Sequence, residues 1–293
     1  MPWTATAERA RPRLALALGP GGTRGFAHLG VMKTLLAAGV PIDAVSGASA
    51  GALFGALFAM EGSTDAVMHA MQSCPREVWS FFRDRLRVAP SNPLGARLVD
   101  HFGAARIESL AVPLTILAVD LHSGEEVILR EGSLRAAVEA SIAIPLLAPP
   151  VEIDGRYLID GGFGLHGPSA SARAMGAEIV VFIGLGDVSL CPPRLRGPVK
   201  QVAGRLHRPG TGGPPDRRAI LRRWLLTSAA QVVGPGDADL VIAPPLRDIN
   251  PNSPFAAERA FRRGEQAARA ALPALRRLVM QDACLYAPDG RTG

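Results

Sequence analysis

Ser49 lies at the centre of Gly47-Ala48-Ser49-Ala50-Gly51, a G-x-S-x-G pentapeptide. A serine hydroxyl is a weak nucleophile until a base takes its proton, and its attack on a carbonyl creates an oxyanion that needs donors. The chain offers candidates for both needs. Asp160 ends an apolar run and precedes Gly161-Gly162, which let a backbone or a substrate come close. Gly19-Pro20-Gly21-Gly22-Thr23-Arg24-Gly25 is a glycine loop. Gly21 and Gly22 can expose backbone N–H groups there, and the N–H of Ala50 would complete an oxyanion hole. Histidine is the usual partner of such a serine, and His166, six residues after Asp160, is the alternative base. An aspartate with a reference pKa of about 3.9 is a weak base for a hydroxyl, and a partly apolar pocket would raise it. The bland readings stand beside these. Small residues around Ser49 also suit an ordinary strand-to-helix turn, and Asp before Gly-Gly is a common turn.

Other chemistries have less support. The glycine loop lacks the Gly-Lys-Ser/Thr of a P-loop. It is a poor dinucleotide fingerprint, because Arg24 stands where a third glycine belongs and Asp43 starts the second strand rather than ending it. The six histidines are scattered with no HExxH pair, so no metal site is expected, and no cofactor is implied. Cys74, Cys191 and Cys284 are odd in number and far apart, which argues against a disulfide framework and for a reducing, cytoplasmic setting. The net charge of +6 suits an anionic partner. Nucleic acid is not expected, since the basic stretch 192–218 has no interleaved aromatics or recognition motif. Peripheral contact with an anionic membrane surface is the alternative to simple inward packing of an apolar helix side, which is the simpler reading: Arg217, Arg218, Arg222 and Arg223 flank Trp224-Leu225-Leu226. The uncharged run from Ala44 to Met60 is interrupted by glycines and is shorter than the ~20 residues of a membrane span.

The elements around these residues can be read from pattern. Leu14–Leu18 is a short apolar run that predicts a buried strand, followed by the glycine loop and a helix over Phe26–Ala38. Ile42–Val45 predicts a second strand, and Ala50–Met60 is apolar all round, as a buried helix is. Ser49 thus falls between strand and helix, the context a nucleophile elbow requires. There its hydroxyl stands at a helix N-terminus, where free N–H groups favour negative charge. Residues 62–110 read mostly as helix. Strands follow over Pro113–Val119 and Glu126–Leu129, and Ser133 can cap a helix running to Ile142. Val151–Ile153 and Arg156–Ile159 flank Asp154-Gly155, a hairpin signal that leads into Asp160. A helix over Pro168–Met175 and a strand over Ile179–Leu185 come next. Residues 191–216 are rich in proline, glycine and arginine and read as a basic loop. Helix returns over Ala219–Val233, then a strand over Asp239–Ile242 and a long amphipathic helix over Phe255–Val279. The expectation is α/β, with a mostly parallel central sheet flanked by helices in three layers. Residues 13–280 would form one domain between a tail at 1–12 and another at 281–293.

The ordered set of the glycine loop with Arg24-Gly25-Phe26-Ala27-His28-Leu29-Gly30, then Gly47-Ala48-Ser49-Ala50-Gly51, then Asp160-Gly161-Gly162 resembles the patatin-like phospholipase family, most closely its bacterial members. Ser141-Ile142-Ala143-Ile144-Pro145, Pro149-Pro150-Val151-Glu152-Ile153-Asp154-Gly155 and Ala238–Ile242 add to the likeness, which spans roughly residues 13–280. The resemblance implies a Ser–Asp dyad, with Ser49 as nucleophile and Asp160 as base. It implies hydrolysis of acyl-lipid esters through an acyl-enzyme, without cofactor. It makes the glycine loop the oxyanion hole and aligns Arg24 with a basic residue of that loop, whose alternative role is to pin it. Two departures stand out. Pro20 occupies a position of the loop and has no N–H to give. Leu165-His166 stands where the family tends to have Asn-Pro. These two motivate the alternative of a weak or inactive lipid-binding relative.

Overall fold

The computed structural model describes residues 11–65, 67, 101–145, 148–164, 166–186, 235–251 and 256–285. The basic loop 191–216, the helix read over 219–233 with Trp224, the stretch 68–100 with Cys74, Leu165 and Cys191 lie outside the described residues.

Among the described residues, eight strands form one sheet. They are β1 (Leu14–Leu18), β2 (Ala44–Ala48), β3 (Leu114–Asp120), β4 (Glu126–Leu129), β5 (Val151–Ile153), β6 (Arg156–Asp160), β7 (Ile179–Ile183) and β8 (Leu240–Ile242). The run β8-β7-β1-β2-β3 is parallel throughout. β4 and β6 join β3 antiparallel, and β5 closes the hairpin onto β6. β1, β2, β3 and β7 are buried along their whole length, as strands covered on both faces must be.

Leu14, Leu16 and Leu18 point from β1 into the larger core, which is lined by α1 (Phe26–Ala37), α2 (Ala50–Glu61), α3 (Leu134–Ser141) and α5 (Ala257–Leu285). Ala15 and Ala17 point the other way, onto the side of the sheet covered by α4 (Pro168–Ala174). The architecture is therefore a mostly parallel sheet between two helical layers, as the strand–helix alternation predicts.

The second strand differs from its sequence reading. It runs on past Val45 through Ser46, Gly47 and Ala48, because each of these pairs with a parallel neighbour: Ser46 and Gly47 with Ala17 and Leu18 of β1, and Gly47 and Ala48 with Ile116 and Leu117 of β3. Small residues that look like a turn are strand here because neighbours on both sides supply the ladder. Likewise β6 includes Asp160, which lies opposite Ala118. The last helix continues beyond Val279 to Leu285.

The pairing of β3 explains how residues far apart in sequence meet. At Leu117 the two edges of β3 are taken by β2 and β4; at Ala118 they are taken by β4 and β6. β2 and β6 must therefore share one edge. They run toward each other along it and stop at adjacent positions, Ala48 opposite Leu117 and Asp160 opposite Ala118.

Candidate active site

Ser49 follows Ala48 directly and is the N-cap of α2, with φ 54° and ψ −118°. A non-glycine residue in such a conformation stores roughly 1–3 kcal/mol of strain, which the surroundings must offset. The flanking glycines are required by close approach. A Cβ on Gly51 would lie 2.1 Å from the Leu18 carbonyl oxygen, and one on Gly47 would lie 2.4 Å from that of Gly51. The N–H groups of Ala50, Gly51 and Ala52 precede the first intrahelical donor, Leu53, which bonds to Ser49 O.

Ser49 Oγ donates to Asp160 Oδ2 at 2.7 Å. Ser49 is 9% exposed and Asp160 3%. The second carboxylate oxygen, Oδ1, accepts the N–H of Gly162 at 2.7 Å. One carboxylate oxygen is thus fixed by backbone while the other faces the serine. Gly161 is pressed against β3: a Cβ there would lie 2.0 Å from Leu117 O.

Sequence reasoning assigned no role to Ser141, which the structure places between the two. Its buried hydroxyl accepts the N–H of Ser49 at 2.9 Å and donates to Leu117 O at 2.6 Å. Two residues on, Ala143 O accepts the N–H of Asp160 at 3.0 Å. The end of α3 thereby holds both residues of the pair. The available signal was its place in Ser141-Ile142-Ala143, since a serine ending a helix says nothing by itself about what it caps.

The glycine loop lies beside this pair. A Cβ placed on Gly162 would lie 2.9 Å from Pro20 Cβ, so the proline ring packs against the turn that carries Asp160. Gly19 donates its N–H to Ile183 O, and its carbonyl accepts His28 Nε2 at 2.8 Å. Gly21 and Gly22 start a short 3₁₀ turn, Gly22–Gly25. Gly22 has φ 58°, and a Cβ on it would lie 2.6 Å from Pro251 O. Gly25 is packed on α2, where a Cβ would meet the Phe54 ring at 2.5 Å. The N–H of Thr23 goes to Pro251 O and that of Arg24 to Gly21 O, so neither is offered to a ligand.

Arg24 turns away from the loop's open side. Its Nε donates to Ile249 O at 2.8 Å and one terminal nitrogen reaches Leu185 O at 3.5 Å. Burial lowers its pKa and nearby Asp248 offsets part of that. This is the pinning role, tying the loop to the segment before α5. His28, fully buried, was likewise not singled out. Burial pushes its pKa down to about 4, so the imidazole is neutral near pH 7. Its Nε2–H is then the donor to Gly19 O, and Nδ1 is left without a partner.

His166, the alternative base, is bonded to Glu126. Its ring Nδ1 bonds to Glu126 Oε2 at 2.6 Å, and its side chain is 60% exposed. Asp43, just before β2, accepts Arg11 and the N–H of Leu14 and so anchors the start of β1. Among the described residues no group of three His, Cys, Asp or Glu side chains could hold a metal ion. No helix among them is long and apolar enough to cross a membrane.

An uncharacterized NTE family protein of Mycobacterium tuberculosis is 36% identical over 188 residues, covering 62% of this chain and 52% of that protein. Patatin-like phospholipase domain-containing protein 6 of Homo sapiens is 32% identical over 183 residues, covering 59% of this chain and 13% of that protein. The chain thus spans about half the length of the mycobacterial relative and a small part of the human one. Among solved structures, VipD from Legionella pneumophila aligns with a TM-score of 0.48 at 13% identity, covering 90% of this chain and 67% of that one. The family model for patatin-like phospholipases matches residues 16–168, a span of just over half the chain that holds the glycine loop, Ser49, Ser141 and Asp160. With that match, the chain belongs to the patatin-like phospholipase family.

Proposed function

We propose that this protein is a lipid acyl-ester hydrolase in which Ser49 is the nucleophile and Asp160 the base. The observation that carries the reading is the 2.7 Å hydrogen bond from Ser49 Oγ to Asp160 Oδ2, made in a nearly closed setting by a serine held on a strained elbow. Family membership supports a lipid hydrolase, and the dyad is the finer step taken from the geometry.

In the reaction Asp160 takes the Ser49 proton as Oγ bonds to the ester carbonyl carbon. The carbonyl electron pair moves onto oxygen, where the N–H groups of Gly21, Gly22 and Ala50 stabilise it. Collapse breaks the bond to the alcohol, which leaves with the proton from Asp160. A water molecule then gives a proton to Asp160 and attacks the acyl-enzyme. Its collapse returns the proton to Ser49 and frees the fatty acid. Pro20 removes no donor from this scheme, because its ring packs toward Gly162 and the two glycines after it supply the N–H groups. The substrate class is an acyl ester of a lipid, and an anionic membrane surface is the proposed place where the enzyme meets it.

The test compares wild type, Ser49→Ala and Asp160→Asn for hydrolysis of a p-nitrophenyl acyl ester and for labelling by a serine-directed fluorophosphonate. Wild type should turn over and be labelled once per chain. Ser49→Ala should show neither, and Asp160→Asn should lose at least ~10³-fold in kcat while remaining folded. A wild type that neither hydrolyses nor labels would overturn the reading.

A further inference from the structure

Glu126 lies at the start of β4, on the edge of β3 opposite to the one where β2 and β6 meet. Its side chain is only 10% exposed, and nearly all its bonding capacity is spent on one short segment. Oε2 accepts the N–H of His166 at 2.7 Å and bonds to the same residue's ring Nδ1 at 2.6 Å. Oε1 accepts the N–H of Gly167 at 3.0 Å. The carboxylate also sits hard against Gly164, where a Cβ would collide with Oε1. Gly164, His166 and Gly167, which follow Asp160-Gly161-Gly162, therefore all meet one largely covered carboxylate from another strand.

That segment is joined to Asp160. The carboxylate of Asp160 is oriented by the N–H of Gly162, and the turn containing Gly162 closes through Gly164 N–H to Gly161 O. Beyond Gly164 the chain must return to α4, whose N-cap is Gly167 and which has no side-chain cap of its own. No asparagine is present there to tie the turn down. Glu126 holds its far end through two backbone N–H groups, and charge-assisted bonds of that kind are about twice as strong as neutral ones.

We propose that Glu126 is a positioning residue for Asp160, fixing the backbone at Gly164, His166 and Gly167 so that Oδ2 faces Ser49. The proposal rests on the hydrolase reading for its kinetic consequence, but not for its structural one. An error of about 1 Å in a catalytic group can cost ~10²-fold in rate.

The experiment uses the full chain with Glu126→Ala, Glu126→Gln and His166→Ala, and reads ester hydrolysis together with hydrogen exchange of the peptide covering residues 160–168. Glu126→Ala should lower kcat ~10–100-fold with KM within twofold, and should speed exchange in that peptide at least tenfold while α1 and α2 stay protected. Glu126→Gln, which keeps one acceptor oxygen, should recover several-fold of the kcat lost. His166→Ala keeps both backbone bonds and should lie within threefold of wild type. Wild-type kcat in Glu126→Ala, no recovery in Glu126→Gln, or unchanged exchange in the 160–168 peptide would each overturn the proposal. If wild type itself hydrolyses nothing, the hydrolase reading fails, and the exchange data still decide whether Glu126 holds the turn.

Discussion

Ser49 is braced beside Asp160 by two buried hydrogen bonds of Ser141. Ser141 fills the gap on β3 where β2 and β6 stop, satisfying Leu117 O and the Ser49 N–H with one hydroxyl. Replacing it by alanine leaves both groups buried and unpaired, at a cost of about 1–3 kcal/mol. Ser141→Ala should therefore unfold at lower urea concentration and hydrolyse ester more slowly, and unchanged values of both would refute the bracing role. His28 predicts a pH dependence. Its folded pKa of about 4 lies below its ordinary value, so the unfolded chain takes up the proton first as pH falls. Its contribution to stability is whole above about pH 6.5 and is lost on acidification toward about pH 4, a difference on the order of 3 kcal/mol. Urea midpoints measured across that window should fall less steeply in His28→Gln than in wild type. Equal slopes would show that His28 is not buried neutral.

At the scale of elements, α1 and α5 touch through their backbones. A Cβ on Gly30 would lie 2.1 Å from Phe261 O, and one on Gly264 would lie 2.2 Å from Ala27 O. Exposed glycines inside helices cost roughly 0.5–1 kcal/mol relative to alanine. Here the sign should reverse, and Gly30→Ala or Gly264→Ala should each destabilise by about 1–3 kcal/mol in denaturant unfolding through overpacking. A gain in stability from either would show that the helices can part without loss. Most elements were legible as strands or helices, because apolar runs and glycine breaks mark them. The end of β2 was not. Ser46, Gly47 and Ala48 have poor strand preference, and only pairing with β1 and β3 makes them strand.

At the scale of the molecule, the glycine loop is held by residues that arrive late in the chain. Pro251 O takes the Thr23 N–H, Ile249 O and Leu185 O take Arg24, and Arg263 bonds to Asp248 and Pro245 in the same segment. β7 also covers the outer edge of β1. A fragment limited to residues 16–168 keeps Ser49, Asp160 and Ser141 but loses all of this. It should show less than ~1% of the full chain's ester hydrolysis, a figure that a lost oxyanion geometry alone would give. Activity near that of the full chain would mean the loop keeps its shape unaided.

The sequence by itself determined the class of fold, through strand–helix alternation, and the two members of the candidate pair. G-x-S-x-G between strand and helix and Asp-Gly-Gly after a strand are local patterns, and local sterics read them directly: Gly47 and Gly51 are glycine because a Cβ has no room. Only the tertiary structure decided how the pair is held. That Ser49 meets Asp160 follows from β2 and β6 meeting head to head on one edge of β3, and no spacing in the chain encodes that register. Ser141, His28 and Glu126 are ordinary serine, histidine and glutamate in sequence. Ser141 and His28 acquire roles because burial leaves the groups they face with no water to bond, and Glu126 because the fold sets its carboxylate against the N–H groups of His166 and Gly167.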